Sequence, residues 1–394
     1  MSNKSKYIFF FHASADLYGS DYVLLELIKK TLHHYKVIVF LPNSGPLVDE
    51  LIKYNAQVVV TKIAVLRKEY LSVTGIFIFL FNLISSLNTV YKLQKKHNVE
   101  IFHSNTSAVW TGFLSSWLFR KKHFWQVMEI IESPLLVSWL MSKVVGIFSD
   151  KVFCISDAVK NHFLKFNRNM KYKFITLYHG VDRNIYSMKN IDRGLVRKRL
   201  GLDDDTVIIG FSGRYNAWKG QEVLAEAAKY VLTSINDSIK VHFLFLGSVY
   251  ADQHYYESQL RDILLSNELL KSHSTMLGFQ KDFHNWIGSM DIVVLPSTSP
   301  EPNATVIVAA MTLGIPVVGT NIGGTVESVS DGVTGYLVPP NDPQSLAVKI
   351  CDLVNLPKKR RLFGKNSMLR ANVMFSINNY TDTVLSFYES DPVF

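Results

Sequence analysis

Residues 207–228 read VIIGFSGRYNAWKGQEVLAEAA, a short apolar run, a glycine-containing loop and then a run with helical spacing. The apolar run, Val207–Phe211, predicts a buried strand because it is short and rich in β-branched residues. In the loop, Gly213 permits close backbone approach, Arg214 offers a planar fork and Lys219 a point charge. Together with the positive end of the following helix, the stretch predicts a diphosphate cradle at the end of a strand. A merely solvated basic loop is the alternative.

Strand and helix alternate on both sides of this stretch, which is the pattern of repeated βαβ units and a parallel sheet. Further strands are predicted at Val37–Leu41, Val58–Val60, Glu100–Phe102, Lys151–Ile155 and Phe174–Leu177, and at Val241–Leu246, Ile292–Leu295, Pro316–Val318 and Tyr336–Val338. The first 13 residues also indicate a buried strand, since their apolar stretch is too short for a signal peptide. The expected fold class is therefore α/β, with two doubly wound Rossmann-like domains, 1–185 and 186–374, facing across a cleft.

Composition and charge support two domains and point to an anionic partner. The 394 residues are 48% hydrophobic, which can fill more than one core. Cys154 and Cys351 are widely separated, so we expect buried thiols and a reducing compartment. Residues 1–180 carry 22 Lys and Arg against 11 Asp and Glu, whereas the remainder carries 20 against 22. The basic half could meet anionic lipid, a phosphate-bearing substrate or only solvent, and nucleic acid is disfavoured because no binding motif accompanies the lysines.

Two segments of the basic half are candidates for membrane contact. Leu71–Tyr91 contains no charged residue and is followed by Lys92, Lys95 and Lys96, but polar residues dilute it. It could be a buried helix, a helix at a membrane interface or a true membrane span. The segment Thr111–Trp125 mixes aromatic residues with Arg120, Lys121 and Lys122, a pattern typical of a membrane interface.

The stretch 296–317, PSTSPEPNATVIVAAMTLGIPV, predicts a strand end, a loop with a carboxylate and a helix start. The backbone N–H groups of Asn303, Ala304 and Thr305 are expected to point into the cleft, where they and Glu301 could hold sugar hydroxyls. An ordinary carboxylate near a helix N-terminus is the alternative for Glu301. A second glycine loop contains Gly323 and Gly324 and leads into another helix, with a weaker case for binding an anion.

These motifs, in this order, resemble those of retaining glycosyltransferases of family 4, which have the GT-B fold. The resemblance rests on Gly213-Arg214, Lys219-Gly220-Gln221, Leu277-Gly278, the loop from Pro296-Ser297 to Glu301-Pro302, Gly314-Ile315-Pro316-Val317, Gly323-Gly324, Glu327 and Asp331–Gly335, with Tyr18-Gly19-Ser20-Asp21, His103-Ser104-Asn105 and His179–Asp182 in the first half. It implies that the last helix, within 375–394, packs back on the first domain.

The resemblance also implies roles for individual residues. Arg214 and Lys219 would stabilise the leaving diphosphate and Glu301 would contact the donor sugar, so these three are the catalytic candidates. The remaining donor-binding candidates are Gly19, Ser20, Gly213, Gly278, Asn303, Ala304, Thr305, Ala309, Gly323 and Gly324, and the candidates near the acceptor or donor sugar are His103, Met128 and Glu129. No metal or other cofactor is expected, and the acidic run Asp203–Asp205 is interpreted as a solvated loop rather than a metal site.

This chain departs from the family pattern at several of these positions. Ala309 stands where a second glutamate is usual, and that glutamate would bind the ribose hydroxyls of the donor. Met128 stands at a usual histidine, Asn303 at a usual aromatic residue and Ala304 at a usual glycine. The missing glutamate predicts weak binding of the donor rather than loss of the reaction, and at Met128 the polar contribution of histidine is lost. Whether Ala309 is natural or engineered stays open.

The functional prediction is a retaining glycosyltransferase that moves a sugar from a UDP- or GDP-sugar to a saccharide acceptor. The acceptor is expected to be lipid-linked, in surface polysaccharide biosynthesis, with the protein cytoplasmic and peripheral on the inner face of the cell membrane. The alternatives are a GT-B-like subunit that binds a sugar nucleotide or glycan without turnover, and a membrane scaffold that uses only the basic apolar face.

Overall fold

The computed structural model describes residues 6–67, 70, 72–249 and 253–390. The chain divides into two compact units, of which the first comprises Met1–His179 with Ile377–Phe394 and the second comprises Gly180–Ser376. The boundary therefore falls at Gly180, a few residues before the one expected at 185. The residues at 375–394 that were expected to return to the first domain include a helix, Ile377–Glu389, that belongs to the first unit; residues 391–394 lie outside the described part.

The first unit is built on a parallel sheet. Among the described residues its strands are β1 (Lys6–His12), β2 (Lys36–Leu41), β3 (Gln57–Val60), β4 (Asn98–Asn105), β5 (Lys122–Val127), β6 (Lys151–Cys154) and β7 (Phe174–Thr176). Their order in the sheet is β3-β2-β1-β4-β5-β6-β7, with every pairing parallel. The order reverses between β1 and β4, and such a switch point places a crevice at the carboxyl ends of these strands.

Helices cover both faces of this sheet. They are α1 (Gly19–Thr31), α2 (Pro46–Lys53), α3 (Val73–Lys96), α4 (Trp110–Phe119), α5 (Leu135–Ile147) and α6 (Asp157–Leu164), together with the C-terminal helix α16 (Ile377–Glu389). Strand side chains alternate between the faces, so Phe10 packs in the cluster with α1, α2 and α16, whereas Phe9 packs with α3 and α4. A third cluster joins Phe113 of α4 to Trp125 and to Val145 of α5. Helices α3, α4 and α5 therefore lie on one face of the sheet.

The second unit repeats the architecture. Its described strands are β8 (Val207–Ser212), β9 (Val241–Leu246), β10 (Ser274–Leu277), β11 (Ile292–Leu295), β12 (Val317–Thr320) and β13 (Gly335–Val338), in the order β10-β9-β8-β11-β12-β13. Its helices are α7 (Arg193–Leu200), α8 (Gln221–Ser234), α9 (His254–Leu265), α10 (Glu268–His273), α11 (Phe283–Ser289), α12 (Thr305–Thr312), α13 (Thr325–Ser328), α14 (Pro343–Asn355) and α15 (Pro357–Met374). The order reverses between β8 and β11, which again places a crevice at the carboxyl ends of those two strands.

Two strands were not predicted from the sequence. β5 begins at Lys122, inside the segment 111–125 that was predicted to contact a membrane interface. Phe124 and Trp125 of this strand are buried in the sheet. The interfacial interpretation is therefore wrong for these two residues, whereas Trp117 and Leu118, at the end of α4, are exposed. β10 is a half-buried edge strand without a continuous apolar run, so its sequence lacks the signal of a buried strand.

The uncharged segment at residues 71–91 forms most of α3; Leu71 lies outside the described residues. Among the described residues, α3 is the one helix long and apolar enough to cross a membrane by length and composition. Most of its apolar side chains are exposed, so the buried-helix interpretation is wrong for that face. Of the two thiols, Cys154 is buried in β6 and Cys351 is half-buried in α14.

Candidate functional site

The loop after β8 is held in place by its own side chains and by a neighbouring loop. The Oδ1 atom of Asn216 accepts hydrogen bonds from the backbone N–H groups of Trp218 (3.1 Å) and Lys219 (3.0 Å). Gly220 has φ 73°, and a Cβ atom there would lie 1.9 Å from the carbonyl oxygen of Pro296, so glycine is required. The N–H of Thr298 donates to the carbonyl of Trp218 at 2.8 Å. The basic loop and the loop after β11 therefore form one rigid assembly.

Lys219 and Glu301 form an ion pair within this assembly. The Nζ atom of Lys219 lies 2.7 Å from Oε2 of Glu301, with side-chain exposures of 13% and 4%. The hydroxyl of Ser297 donates to the same carboxylate oxygen at 3.2 Å. The ammonium group also lies 4.4 Å from the ring centroid of Trp218. A buried pair of this kind loses much of its hydration on folding, so each charge depends on its partner.

The second glycine loop packs against the backbone of Glu301. Gly323 has φ 60°, and a Cβ atom there would lie 2.3 Å from the Glu301 carbonyl oxygen and 2.5 Å from its nitrogen. The N–H of Gly324 donates to that carbonyl at 2.5 Å. The close backbone approach and the positive φ account for glycine at position 323. The sequence assigned both glycines to the donor, which stays a prediction, and the structure shows that both contact the backbone of Glu301.

The other donor-binding candidates of the second unit lie around α12. Ala304 is the N-cap residue of this helix and Thr305 is its first residue. Asn303 is buried, with its Oδ1 atom accepting a long hydrogen bond of 3.4 Å from Ser328. Ala309 lies inside α12 and is 0% exposed. Gly278 follows β10, and the space where its Cβ atom would lie is open. Gly213 directly follows β8.

In the first unit, a buried hydrogen-bond network holds the turn that contains Gly19 and Ser20, the first two residues of α1. The Oδ1 atom of Asp21 lies 2.6 Å from Nε2 of His12 and accepts from the Ser14 hydroxyl at 2.6 Å, while Oδ2 accepts from the N–H of Tyr18 at 2.8 Å. The Nδ2 atom of Asn105 lies 2.8 Å from the other ring nitrogen of His12. Sequence reasoning missed this network. The available signal was an acidic residue at the third position of a predicted helix.

Glu129 lies just beyond the carboxyl end of β5. Its Oε2 atom accepts from the N–H and the hydroxyl of Ser107, at 3.2 and 3.0 Å, and from the N–H of Met128 at 3.2 Å. Burial raises the pKa of Glu129, and these hydrogen bonds oppose the shift. Met128 is half-buried and packs against the apolar clusters on both faces of the sheet, a contact that an apolar side chain suits better than a histidine would.

His103 is enclosed between the first sheet and the C-terminal helix. It is fully buried in β4, where its Nδ1 atom lies 2.7 Å from the hydroxyl of Tyr388 in α16. Burial lowers the pKa of His103 to about 3, so the ring is neutral at physiological pH. Its place near the acceptor or donor sugar stays a prediction. His103 helps to bind the C-terminal helix to the sheet.

The acidic run at residues 203–205 is engaged with a lysine. Asp203 and Asp205 lie 2.7 and 3.3 Å from the Nζ atom of Lys240, in an exposed loop. Over the described ranges of the chain, no group of three or more His, Cys, Asp or Glu side chains is placed to hold a metal ion.

The sequence of this chain is similar to those of glycosyltransferases. Residues 192–370, a little under half of the chain, match the model of the family "Glycosyl transferases group 1". Spore coat protein SA of Bacillus subtilis (strain 168) is 28% identical over 224 residues, which are 55% of this chain and 58% of the length of that relative. The match therefore spans little more than half of that protein. The UDP-Gal:alpha-D-GlcNAc-diphosphoundecaprenol alpha-1,3-galactosyltransferase of Escherichia coli is 26% identical over 316 residues, 77% of this chain and 78% of that enzyme.

A solved structure agrees with the fold. The crystal structure of HepE from Anabaena in complex with UDP-glucose has a TM-score of 0.84 and 22% identity, covering 98% of this chain and 100% of the HepE chain. The expected fold class, α/β of the GT-B type with two parallel sheets, is confirmed. All the residues of the Lys219 and Glu301 assembly lie within the range that matches the family model.

Proposed function

We propose that this chain is a retaining glycosyltransferase of family 4 that takes a hexosyl group from a nucleotide diphosphate sugar. The observation that carries the proposal is the pair of Lys219 and Glu301, 2.7 Å apart and buried beside the switch point of the second sheet. A cation suited to a diphosphate and a carboxylate suited to sugar hydroxyls stand next to each other there. A nucleotide diphosphate sugar carries a diphosphate joined to a sugar, so it presents one group that suits each of these side chains.

The pair also indicates how a donor would rearrange the site. In the free protein the ammonium of Lys219 is bound to Glu301, so a diphosphate would compete for it. Once Lys219 turns to the phosphate oxygens, the carboxylate is released to accept hydrogen bonds from the sugar. Ser297 stays available to hold Glu301 in place during this exchange. Donor binding is therefore expected to convert one ion pair into two separate contacts.

The proposed transfer takes place on one face of the sugar. The bond between the anomeric carbon and the leaving diphosphate oxygen breaks, and the acceptor oxygen bonds to the same carbon from the same side. The proton of the acceptor hydroxyl moves to the leaving diphosphate oxygen. Arg214 and Lys219 stabilise the negative charge that develops on the diphosphate, which is an electrostatic contribution without a protein nucleophile. On this proposal the reaction proceeds without a bound metal ion.

The donor is proposed to be a UDP- or GDP-sugar. The HepE structure contains UDP-glucose and the relative in Escherichia coli uses UDP-Gal, and both support a uridine donor. The small side chain of Ala309 offers no hydrogen bond to the ribose. Affinity for the nucleotide is therefore expected to be lower than a glutamate at this position would give.

The acceptor is proposed to be a lipid-linked saccharide of surface polysaccharide biosynthesis. The relative in Escherichia coli acts on a diphosphoundecaprenol-linked sugar, which supports this class of acceptor. The basic excess of residues 1–180 and the exposed apolar side chains of α3 support contact with an anionic membrane. The protein is accordingly proposed to be peripheral on the cytoplasmic face of the cell membrane.

Release of nucleotide diphosphate from a panel of UDP- and GDP-sugars tests the proposal. At least one donor should be hydrolysed slowly in water and faster when a lipid-linked saccharide is added. The released or transferred sugar should first carry the anomeric configuration of the donor. An inverted first product would contradict the retaining assignment.

Ala309 and Met128 favour a second candidate function, a subunit that binds a sugar nucleotide or glycan without transfer. Such a protein would bind one member of the panel but release no nucleotide diphosphate, with or without acceptor. The substitution Ala309→Glu would then tighten binding and leave turnover at zero.

A further inference from the structure

Helix α3 exposes its more apolar side, whereas a surface helix of a soluble domain buries that side. Its buried positions form one stripe at helical spacing: Gly75, Phe79, Asn82, Ser86 and Val90. This stripe includes two polar residues, and the hydroxyl of Ser86 lies 2.9 Å from that of Thr111 in α4. The side chains exposed on α3 are mostly apolar: Val73, Ile76, Phe77, Ile78, Leu80, Phe81 and Ile84. This arrangement suits a helix whose outer side contacts an apolar medium, such as the acyl chains of a membrane, rather than water.

Helix α5 shows a second exposed apolar surface on the same face of the sheet. Leu135 and Leu136 are 69% and 72% exposed, and Trp139 and Leu140 are exposed as well. The opposite side of α5 packs inward through Ser138, whose hydroxyl lies 3.2 Å from Nε2 of His162, and through Met141 and Val145. Nothing in the sequence analysis had assigned a function to α5.

The connections of the fold bring these two surfaces to the same edge. In a parallel sheet with right-handed crossovers, a helix begins beside the carboxyl end of the strand before it. Helix α3 follows β3 and α5 follows β5, so the first halves of both helices lie at the carboxyl edge. Their exposed apolar residues, 73–84 and 135–140, belong to those first halves. Glu129, at the carboxyl end of β5, lies on the same edge.

The charges on this face select the partner. Helices α3, α4 and α5 contain no Asp or Glu, and Lys92, Lys95 and Lys96 close α3, whereas one exposed acidic residue, Glu132, lies in the loop before α5. Arg120 and Lys121 follow α4, close to the exposed Trp117. A protein partner would need an apolar surface with acidic groups at one end. A bilayer with anionic lipid offers both features over any area, and aromatic side chains suit its headgroup depth.

We infer that α5 is a second lipid-binding helix and that it forms, with α3, a surface that lies along an anionic bilayer. The exposed apolar side chains of both helices contact the bilayer near the carboxyl edge of the first sheet, and the basic residues at the ends of α3 and α4 contact it near the opposite edge. This inference deepens the proposed function, because it places Glu129 beside the membrane that holds a lipid-linked acceptor. Both helices lie in the interface. Neither crosses the bilayer, because their inner stripes are packed against the sheet and against α4.

Paired serine substitutions in the full chain test the surface. The variants are Leu135→Ser with Leu136→Ser on α5, and Phe77→Ser with Phe81→Ser on α3, whose phenylalanines are 69% and 64% exposed. The matched control is Leu369→Ser with Val373→Ser on α15 of the second unit, where the residues are 53% and 79% exposed. The probe is a vesicle of phosphatidylcholine with or without phosphatidylglycerol. The double substitution on α5 and the double substitution on α3 should each weaken binding to phosphatidylglycerol vesicles roughly tenfold or more in co-sedimentation. The control variant should bind as the wild type does.

Tryptophan quenching by lipids brominated along the acyl chain reports which helix inserts. Wild-type fluorescence should be quenched on phosphatidylglycerol vesicles, and Trp139→Phe should remove a large part of the quenching. Unchanged co-sedimentation of the α5 pair, or quenching that is the same in Trp139→Phe, would overturn the inference. So would a lipid-free dimer of the wild type that the α5 pair converts to monomer, because the face would then bind a second copy.

The outcome is separable from that of the proposed function. Binding of UDP and GDP, measured without lipid, should be unaffected by the α5 pair. A chain that inserts Trp139 but hydrolyses no sugar nucleotide would support the lipid-binding surface and contradict the transferase. A chain that hydrolyses a sugar nucleotide but does not bind vesicles would support the transferase and contradict the lipid-binding surface.

Discussion

Replacing Lys219 with Met should weaken binding of a nucleotide diphosphate and also destabilise the second unit. The two effects have one structural origin, the ion pair with Glu301 at 2.7 Å. Methionine keeps the length and the apolar stem of lysine but removes its charge. The Glu301 side chain is 4% exposed, and among the described residues its carboxylate would then keep only the Ser297 hydroxyl as a side-chain donor.

The stability loss follows from the burial of the pair. Removing one partner of a buried ion pair costs about 3–5 kcal/mol, and the 13% exposure of the lysine favours the lower end. For a unit of about 200 residues, 3 kcal/mol corresponds to a fall in Tm of about 6–12 °C. The control is Lys229→Met. Lys229 also lies 2.7 Å from a glutamate, Glu226, but both side chains are more exposed, so about 0.5 kcal/mol or less is expected.

Two assays separate stability from binding. Calorimetry with UDP and GDP should show a loss of about 10- to 100-fold for Lys219→Met, since a charge-assisted hydrogen bond contributes about 1.5–3 kcal/mol. Arg214→Ala should lose affinity on the same scale. Adding Glu301→Gln to Lys219→Met removes the unpaired charge, so the Tm should recover while the affinity stays low. Glu301→Gln alone should retain nucleotide binding but lose the preference for a sugar nucleotide over the bare nucleotide.

One result would refute this reasoning. If Lys219→Met binds both nucleotide diphosphates as tightly as wild type while its Tm falls, the lysine is a structural partner of Glu301 and the diphosphate site lies elsewhere.

Three further substitutions test other parts of the account. Ala309→Glu should tighten nucleotide binding by about tenfold and raise turnover chiefly at low donor concentration, and Ala309→Gln, of the same size, controls for crowding at this buried position. The raised pKa of Glu129 means that the folded state disfavours the ionised form of this side chain. The free energy of unfolding of the wild type, measured in urea, should therefore fall as the pH rises above 4.5, the ordinary pKa of a glutamate. Glu129→Gln should lack this fall, because its amide oxygen cannot ionise and can still accept a hydrogen bond from Ser107. Tyr388→Phe should lower stability by about 1–3 kcal/mol in denaturant titration, because it leaves Nδ1 of the buried His103 without its hydroxyl partner.

The sequence predicted most of the fold because most strands are buried on both faces. Such strands are continuous apolar runs, as in Val241–Leu246, and they are bounded by loops rich in glycine and polar residues. β5 was hidden because its first residues, Lys122 and His123, are polar and follow Arg120 and Lys121. The C-terminal cap of helix α4 is Arg120, which has the left-handed conformation with φ 51°. No residue pattern in the sequence predicts that conformation at an arginine.

The sequence predicted the individual residues of the candidate site, and the structure adds the contacts between them. Lys219 and Glu301 were assigned separately, and their direct contact depends on the packing of two loops 82 residues apart in the chain. The glycines at 323 and 324 were assigned to a ligand because a glycine loop before a helix suits an anion. The requirement for glycine at position 323 comes from close approach to the backbone of Glu301, and it depends on tertiary contacts.

Polar residues at strand ends were the hardest to assign. His103 and Asn105 are two residues apart in β4 and therefore point to the same face, yet one packs under α16 and the other bonds His12 near α1. Which of them lies near an open edge depends on where the C-terminal helix packs. Hydrophobic patterning carries no information on that choice.

The central claim is that this chain breaks the bond between a sugar and a nucleotide diphosphate. The most direct test measures the release of nucleotide diphosphate by wild type and by Lys219→Met over a panel of UDP- and GDP-sugars, with a lipid-linked saccharide in anionic vesicles as acceptor. The account predicts release from at least one donor, stimulated by the acceptor and reduced at least tenfold in the variant. A folded wild-type protein that binds a sugar nucleotide but releases no nucleotide diphosphate under these conditions would contradict it.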